Sequence, residues 1–280
     1  MKKELIEKIH SAIIEMKKSI TLDEKHMYTR NSDGKWLAGV SSIADLLPKE
    51  YLIPWAAKET VTFLGYDNEV RANEVIEKIR TCTPKEYQQL LEDAKKAHKN
   101  KSGQALIDGK AGHAYLELWV KAKIRGTEIP LLTDENLSRP VNQFIKWADE
   151  NIKQWILSEA LVVSLEEDFA GTLDALAITK EDKLAVIDFK FATSISNSYH
   201  LQTAGYSIPF EKYGIDIQDR IIIRLPKTLT RKIWDRKKRV YYEESNNIEI
   251  ARSPFSMEYD KETFRHARQL YYYSNLINKG

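Results

Sequence analysis

The sequence predicts an α/β fold in which helices flank a short mixed sheet and the N-terminal part is helical. Apolar residues recur at helical spacing over much of residues 1–156, whereas residues 159–192 contain three β-like runs. No internal repeat or low-complexity linker divides the chain. We therefore expect a single domain over residues 1–280, made of a helical part over 1–100, a core over 101–225, and a basic segment with a C-terminal helix over 226–280.

The helices are predicted from the spacing of apolar residues. Leu5, Ile9 and Ile13 are four residues apart and mark the first helix. Pro54 interrupts the next helical pattern, and Pro84 is suited to the first turn of a later helix. The expected helices cover residues 1–19, 41–64 in two pieces, 69–80, 84–98, 104–123 and 139–156.

The second half of the chain alternates between strand-like and helical patterns. Residues 219–225, for example, form a short run rich in isoleucine, as in a buried strand. Strands are expected over residues 159–166, 169–178, 184–192 and 219–225, with a helix over 199–212, two further strands after the basic stretch, and a last helix from Asp260 to Ile277.

The composition indicates a folded protein without a membrane span. Hydrophobic residues make up 42% and charged residues 30% of the 280 residues. No apolar run approaches the roughly 20 residues that a membrane helix needs. The N-terminus also lacks the apolar core of a signal peptide. We therefore expect a cytoplasmic protein with no membrane partner, in the host cytoplasm if the chain is viral.

The cysteine count and the net charge limit the cofactors and partners. A single cysteine, Cys82, excludes an internal disulfide, a four-cysteine iron–sulfur cluster and a cysteine-rich zinc site within one chain. The net charge of +2 is close to neutral. Evidence for a nucleic-acid partner must therefore come from local patches of charge.

Two acidic residues occupy apolar runs on either side of a polar five-residue turn, residues 179–183. If this turn closes a hairpin, Ile178 pairs with Leu184 and Asp174 lies opposite Asp188. Facing carboxylates in a buried sheet are costly unless a cation or a proton compensates them, and Mg²⁺ prefers carboxylate oxygens.

Lys190 follows Asp188 by two residues and so lies on the same face of the strand. Its ammonium could activate a metal-bound water or neutralise developing charge. The alternative interpretation is a solvated hairpin with scattered charges.

A predicted helix carries His113 and Glu117 on one face, four residues apart. Gly109 and Gly112 on the same helix would allow close approach to another backbone. His113 is therefore either a third metal ligand or a core histidine with a satisfied hydrogen bond.

Three further polar residues are candidates for the same site. Gln202 and Tyr206 are four residues apart on a predicted helix and could orient Lys190 or bind a phosphate. Glu159 could add a carboxylate. Taken alone, the pair is better explained as ordinary helix-surface polarity, and the alternative for Glu159 is a solvent-facing strand end.

The order of these residues resembles the RecB-like branch of the PD-(D/E)xK nuclease superfamily, which includes Cas4-type and mitochondrial genome maintenance exonucleases and many phage nucleases. That pattern runs G-x-x-x-H, G-x-x-D, D-x-K and Q-x-x-x-Y. Here the four motifs are Gly109 with His113, Gly171 with Asp174, Asp188 with Lys190, and Gln202 with Tyr206. The stretches 39–43 and 52–57 also resemble the N-terminal part of phage members, and the resemblance covers roughly residues 36–225.

The resemblance implies a restriction-endonuclease-like core and a role for each candidate. His113, Asp174 and Asp188, with the backbone carbonyl of Phe189, would hold Mg²⁺ or Mn²⁺, and Lys190 would serve the attacking water. Gln202 and Tyr206 would be positioning residues, and Glu159 an accessory acid. The chain departs from Cas4-type relatives, since one cysteine cannot hold an iron–sulfur cluster. It also departs from RecB, since it has no helicase part and no G-x-x-x-x-G-K-[ST].

A basic stretch with aromatic residues follows the predicted strand 219–225. Cations interleaved with aromatic rings suit a DNA strand, through phosphate contacts and base stacking, although a solvated basic hairpin is the plain alternative. The stretch begins at Arg224 and Lys227 and is followed by Tyr241 and Tyr242. Its candidate DNA-binding residues are Arg231, Lys232, Trp234, Arg236, Lys237, Lys238 and Arg239.

These observations predict a Mg²⁺- or Mn²⁺-dependent deoxyribonuclease. The expected activity is that of an exonuclease on single-stranded DNA or DNA ends in phage-like recombination or repair, with a recombination or replication protein as a partner. A structure-specific or restriction-type endonuclease would use the same chemistry. A DNA-binding scaffold without cleavage is the alternative of another class, and the intact D-x-K argues against it.

Overall fold

The computed structural model describes residues 2–24, 27–235 and 239–277, apart from the side chains of residues 2, 104–108, 234–235 and 276–277. The fold is α/β, with a mixed sheet flanked by helices, as the sequence predicts. The chain forms two compact units, one of Met1–Leu47 with Gly112–Gly280 and one of Pro48–Ala111. This division differs from the expected boundaries, because the first 47 residues belong with the sheet.

The smaller unit is helical, and its last helix continues into the larger unit. The Asn68 side chain accepts a hydrogen bond from the backbone N–H of Arg71 at 3.0 Å and so caps the second of its helices. The helices are α3 (Leu52–Phe63), α4 (Glu69–Thr81) and α5 (Pro84–Arg125).

The larger unit carries the strands. Its helices are α1 (Lys2–Ser19), α2 (Val40–Ala44), α6 (Glu135–Asn151), α7 (Asn197–Ser207), which runs into a 3-10 helix (Ile208–Tyr213), and α8 (Met257–Ile277). Its strands are β1 (Ile20–Leu22), β2 (Tyr28–Arg30), β3 (Trp36–Gly39), β4 (Ile152–Ser164), β5 (Phe169–Thr179), β6 (Leu184–Lys190), β7 (Asp219–Arg224), β8 (Thr230–Asp235), β9 (Val240–Ser245) and β10 (Glu249–Ala251).

The main sheet runs in the order β1-β2-β3-β5-β6-β7-β10, and β4 pairs with β5. β5 and β6 are antiparallel, with Ile178 paired to Leu184, which confirms the predicted register of the hairpin. β6 and β7 are parallel, and Asp188 lies beside Ile222, so the strand expected at 219–225 does adjoin the hairpin. β8 and β9 form a separate two-stranded sheet.

The sheet has an apolar core on each face. The core that includes α1 and α7 contains Leu173 and Leu176, whereas the core that includes α5 and α6 contains Ala175 and Ala177. Since neighbouring side chains in a regular strand alternate, the alternation of β5 is broken between Leu173 and Ala175. A regular strand would place Leu173 and Ala175 on one face, so the irregular position between them is Asp174.

Several predicted boundaries are wrong for identifiable reasons. Residues 84–98 and 104–123 belong to one helix, since the polar residues between them, including Gly103, do not stop it. The helix expected over 139–156 ends at Asn151, because β4 pairs with β5 from Ile152 onward. Pro54 lies in the first turn of α3, where its missing N–H costs nothing.

The short strands β1, β2 and β3 are absent from the sequence prediction. They have three, three and four residues, too few for a two-residue period to be recognised. Among the helices that the structure describes, none is long and apolar enough to cross a membrane.

Candidate active site

The site lies where the sheet forks around β5. β4 pairs along one edge of β5, while β3 and β6 share the other edge. On that shared edge the pairs with β3 stop at Ala170 and the pairs with β6 begin at Ala175. Residues 171–174 therefore have no strand partner there, and the acid of the predicted G-x-x-D motif is at the fork.

The Asp174 side chain makes a hydrogen bond where the backbone hydrogen bonds between β5 and β6 have stopped. Its Oδ2 accepts a hydrogen bond from the backbone N–H of Phe189 at 2.7 Å. The ladder itself ends one step earlier, at the pair of Ala175 and Ile187. Asp174 and Asp188 thus lie just beyond the last paired residues, where two backbones diverge and leave room for side chains to converge.

Asp188 is held by Lys190 two residues later on β6. The lysine Nζ donates to Asp188 Oδ1 at 2.9 Å and is 2.8 Å from Oδ2, which receives no well-directed hydrogen bond. The Asp188 side chain is 1% exposed and the Lys190 side chain 16% exposed. The Lys190 ammonium also lies 4.9 Å from the centre of the Tyr199 ring, a cation–π contact. The ion pair between Lys190 and Asp188 confirms the expectation that the two side chains lie on the same face of β6.

His113 reaches the same place from α5. Its Nδ1 is 3.8 Å from Asp174 Oδ2, and its ring packs against Phe191 with 5.4 Å between ring centres. Gly112 allows this approach, because a Cβ there would lie 2.3 Å from the Phe191 ring. The close neighbour of Gly112 is thus a side chain rather than the backbone expected from the sequence.

Gln202 and Tyr206 form a buried hydrogen-bonded pair on α7. Gln202 Nε2 contacts the Tyr206 hydroxyl at 2.6 Å and the Ser41 hydroxyl at 3.0 Å. Gly171 makes room for Tyr206, since a Cβ at this glycine would lie 2.8 Å from the tyrosine ring. The interpretation of the pair as ordinary helix-surface polarity is wrong.

Glu159 lies within β4, not at its start, because that strand begins seven residues earlier than expected. Its backbone has a φ of 48°, which non-glycine residues seldom adopt and which favours a local break in the strand. Glu159 stands opposite Asp174, because Ser158 pairs with Ala175 and Ala160 pairs with Leu173. Glu159 and Asp174 themselves do not form a regular β-sheet pair. Glu159 is half-buried, so it is not a solvent-facing strand end.

Burial and neighbouring charges shift the pKa values of the acidic and basic groups in the site. Burial raises the pKa of both Asp174 and Asp188, and the nearby Lys190 ammonium opposes that rise. Burial by itself would lower the pKa of Lys190, but the carboxylates of Asp188 and Asp174 outweigh it and raise that pKa. Lys190 therefore stays charged at neutral pH.

His113 and Glu159 are shifted in opposite senses. Burial, and then the charge of Lys190, lower the pKa of His113 to about 4, so its imidazole is neutral at pH 7 and can donate a lone pair. Burial, followed by the negative charges of Asp174 and Glu117, raises the pKa of Glu159 to about 8. A pair of carboxylates beside a neutral histidine is a donor set suited to a divalent cation.

Some of the predicted metal ligands are close enough together to bind one ion, but they do not form a complete set. Two atoms that each lie about 2.1 Å from Mg²⁺ are at most about 4.2 Å apart, and His113 Nδ1 and Asp174 Oδ2 meet this limit. Asp188 Oδ2 is buried and receives no well-directed hydrogen bond, and its cationic neighbour is the Lys190 ammonium at 2.8 Å. The described part of the chain nevertheless contains no group of three or more His, Cys, Asp or Glu side chains arranged around one point. In this structure the Lys190 ammonium neutralises Asp188.

The basic stretch is less uniform than its sequence indicates. Arg224 is 1% exposed and binds Asn246, the carbonyl of Asn247 and Glu249, so this arginine is structural. Arg231 pairs with Glu244 on the neighbouring strand.

The register also places Lys232 beside Glu243, so acidic residues of β9 face the cations of β8. Arg239 and the exposed Tyr241 and Tyr242 lie at the start of β9 or next to it. The residues Arg236, Lys237 and Lys238, and the side chain of Trp234, lie outside the described part.

Comparisons with known proteins do not name a family. No protein-family model matches the chain, and no curated protein has significant similarity to it. The site must therefore be interpreted from its own geometry.

Sequence reasoning missed two residues near the site. Ser41 receives the Gln202 hydrogen bond, although the stretch 39–43 carried no assigned role. The charge of Lys227 acts on His113 and helps to lower its pKa, whereas the sequence placed this lysine only in the basic stretch. The signal for Ser41 was available, since its segment formed part of the resemblance.

Proposed function

We propose that the protein is a metal-dependent deoxyribonuclease with a restriction-endonuclease-like core. The observation that carries this proposal is the fork of the sheet, where Asp174, Asp188, Lys190 and His113 converge. Two buried carboxylates, a fixed ammonium and a neutral imidazole are the components of metal-assisted phosphodiester hydrolysis.

The residues would share this chemistry as follows. Asp174, Asp188 and His113 would hold Mg²⁺ or Mn²⁺ together with the Phe189 carbonyl. The bound ion would activate water and neutralise charge on the phosphate. Lys190 supplies a positive charge beside the attacked phosphate, since its raised pKa keeps it protonated.

Four other residues support this arrangement. Tyr206 and Gln202 fix each other beside the acids, and Ser41 holds the amide of Gln202. Glu159 is an accessory acid that can hold or release a proton near neutral pH, because its pKa is raised to about 8.

The contacts at the fork weigh against a scaffold that does not cleave. A buried acid pair costs folding free energy, which a protein that only binds DNA has no reason to keep. An exonuclease working in the cytoplasm on DNA ends during recombination or repair, with a recombination or replication protein as partner, is the form that we propose. An endonuclease of the same chemistry is the second candidate.

One panel of substrates separates these candidates. Purified protein with Mg²⁺ or Mn²⁺ is incubated with 5′- and 3′-labelled single- and double-stranded DNA and with a covalently closed circle. Stepwise loss from labelled ends with an intact circle supports the exonuclease. Cutting of the circle supports the endonuclease, and the absence of cleavage with either metal refutes the nuclease proposal.

A further inference from the structure

The larger unit has a cavity of about 810 Å³ that reaches the fork. Glu159, Gly171 and Tyr206 line it, and Gly171 begins the stretch of β5, residues 171–174, that has no β3 or β6 partner at the fork. In the β4–β5 ladder Ser158 pairs with Ala175 and Ala160 with Leu173, so Glu159 stands opposite Asp174 and the cavity wall adjoins the proposed catalytic groups. A ligand in this cavity would lie beside those groups.

The walls of the cavity combine three kinds of surface besides the acidic side chain of Glu159. Apolar side chains from α1, β1, α2 and β4 line most of it. Hydroxyl groups of Tyr28, Thr172 and Ser42 add polar positions, and Tyr28 and Thr172 oxygens are 3.5 Å apart. The one cationic side chain among the described lining residues is Lys17 on α1, which is exposed at the surface. The apolar side chains are Ile13, Ile20, Leu22, Val40, Leu157, Ala160 and Leu161.

This combination matches the parts of a nucleotide. Apolar walls suit a base and the carbon face of a sugar, hydroxyl groups can bond to base edges or sugar oxygens, and an ammonium suits a phosphate. The volume is within the range of about 300–1,000 Å³ typical of pockets for small molecules. It can hold one or two nucleotides but not a base-paired duplex.

The geometry points to this cavity as the binding site for the unpaired nucleotide next to the scissile phosphate, with Lys17 contacting the following phosphate. The inference rests on the proposed nuclease function and adds a substrate requirement to it. The strand that enters the site must be single-stranded on this side of the cut. Duplex DNA can then bind through its paired region outside the cavity, and it is cut only where its end frays or carries an overhang.

The chain offers a matched pair of lysines for the test. Lys17 and Lys18 are neighbours in the last turn of α1 and have the same relation to the helix dipole, but only Lys17 lines the cavity. Binding of a labelled single-stranded oligonucleotide is measured by fluorescence anisotropy in EDTA over a salt titration. K17A should weaken binding and lower the salt slope by about 0.7, the value for one phosphate contact of a single strand. K18A should leave affinity and slope unchanged.

A second pair tests the occupancy of the cavity itself. Ser42 lines the cavity and is exposed, so S42W should fill space there without disturbing the core. Ser11, which is exposed on α1 and does not line the cavity, supplies the control S11W. We expect S42W to weaken single-strand binding at least tenfold and to leave binding of a blunt duplex unchanged, while S11W matches the parent. Circular dichroism confirms that each variant is folded.

The outcomes separate this inference from the nuclease proposal. If all four variants bind the oligonucleotide like the parent while the substrate panel shows cleavage, the cavity is not the nucleotide site and the nuclease proposal stands. If S42W weakens duplex and single-strand binding equally, the requirement for an unpaired nucleotide is wrong. If the panel shows no cleavage and the oligonucleotide does not bind, both proposals fall.

Discussion

At the scale of single residues, the site depends on a carboxylate that has a structural and a chemical role. Asp174 accepts the Phe189 N–H where the strand ladder ends, and it approaches His113 from the same oxygen. Burial raises its pKa, while the Lys190 charge and then the hydrogen bond from the Phe189 N–H oppose that rise and favour the carboxylate. Its position therefore follows from the break in β5 rather than from a regular strand.

The ion pair of Lys190 and Asp188 should contribute to folding when metal is absent. K190M leaves a buried carboxylate without its cation, and breaking such a pair costs about 3–5 kcal/mol. We expect a loss of that order in the free energy of unfolding by urea in EDTA. The control is K183M in the turn of the same hairpin, where lysine and Glu181 are both largely exposed. An unfolding midpoint for K190M equal to that of K183M would show that the pair is not a stabilising contact.

Gly112 should be required for the packing of His113. In G112A the added Cβ lies 2.3 Å from the Phe191 ring, and overpacking of this kind costs about 1–3 kcal/mol. Gly103 is in the same helix, and no atom lies within 4 Å of the position that a Cβ would take there. G103A should therefore raise the free energy of unfolding by up to about 1 kcal/mol. Thermal unfolding of both variants checks the prediction. A higher melting temperature for G112A than for the parent would contradict it.

At the scale of elements, the fork arises because β3 and β6 share one edge of β5 without meeting. The hairpin register could be predicted from sequence, because the turn of residues 179–183 and the apolar runs beside it leave one pairing that buries both strands. The fork could not be predicted, since β3 is a four-residue strand that pairs with β5 in parallel from a distant part of the chain.

Arg224 should act as an anchor for the segment that follows the β8–β9 hairpin. Its guanidinium binds Asn246, Asn247 and Glu249 from a buried position. We expect R224M to lower the free energy of unfolding by about 2–4 kcal/mol, because it leaves buried acceptors without their donor. R231M, at an exposed pair with Glu244, should change stability little. Equal urea midpoints for the two variants would contradict this structural role of Arg224.

At the scale of the whole molecule, the net charge of +2 conceals an uneven distribution. Acidic groups converge at the fork, so the proposed DNA substrate would have to be attracted by positive charge elsewhere. On the β8–β9 hairpin, Glu243 and Glu244 offset Lys232 and Arg231. The rest of the basic stretch is the run from Arg236 to Arg239, which the sequence identifies; of these four residues the structure describes only Arg239.

Changing Arg236, Lys237, Lys238 and Arg239 together to Ala should weaken DNA binding and flatten its dependence on salt. Each lost phosphate contact lowers the slope by about 0.7–0.9. Turnover at saturating DNA should change little, because the fork is untouched. The matched control replaces Lys95, Lys96, Lys99 and Lys101, a second basic cluster on the smaller unit, with Ala. If both quadruple variants give the same affinity and slope, the basic stretch is a solvated surface.

Local sequence patterns were sufficient to locate most residues of the candidate site, but not the residues that surround it. Asp174, Asp188 and Lys190 could be located because apolar neighbours and a short turn determine one register, and His113 because helical spacing is strong around it. The role of Ser41, the cavity beside Glu159 and the burial of Arg224 depend on contacts between distant segments. The spacing of residues in a single sequence does not predict contacts between distant segments.

The central claim, that the acid cluster at the fork performs metal-dependent cleavage of DNA, is tested most directly by single-turnover cleavage of labelled single-stranded DNA with Mg²⁺. D188N keeps the shape of the side chain and removes its charge, so the rate should fall by on the order of 10³. D182N is the matched control, because Asp182 lies in the turn of the same hairpin with a φ of 63° that asparagine also accepts. A D188N protein that cleaves at the rate of D182N and the parent would contradict the account.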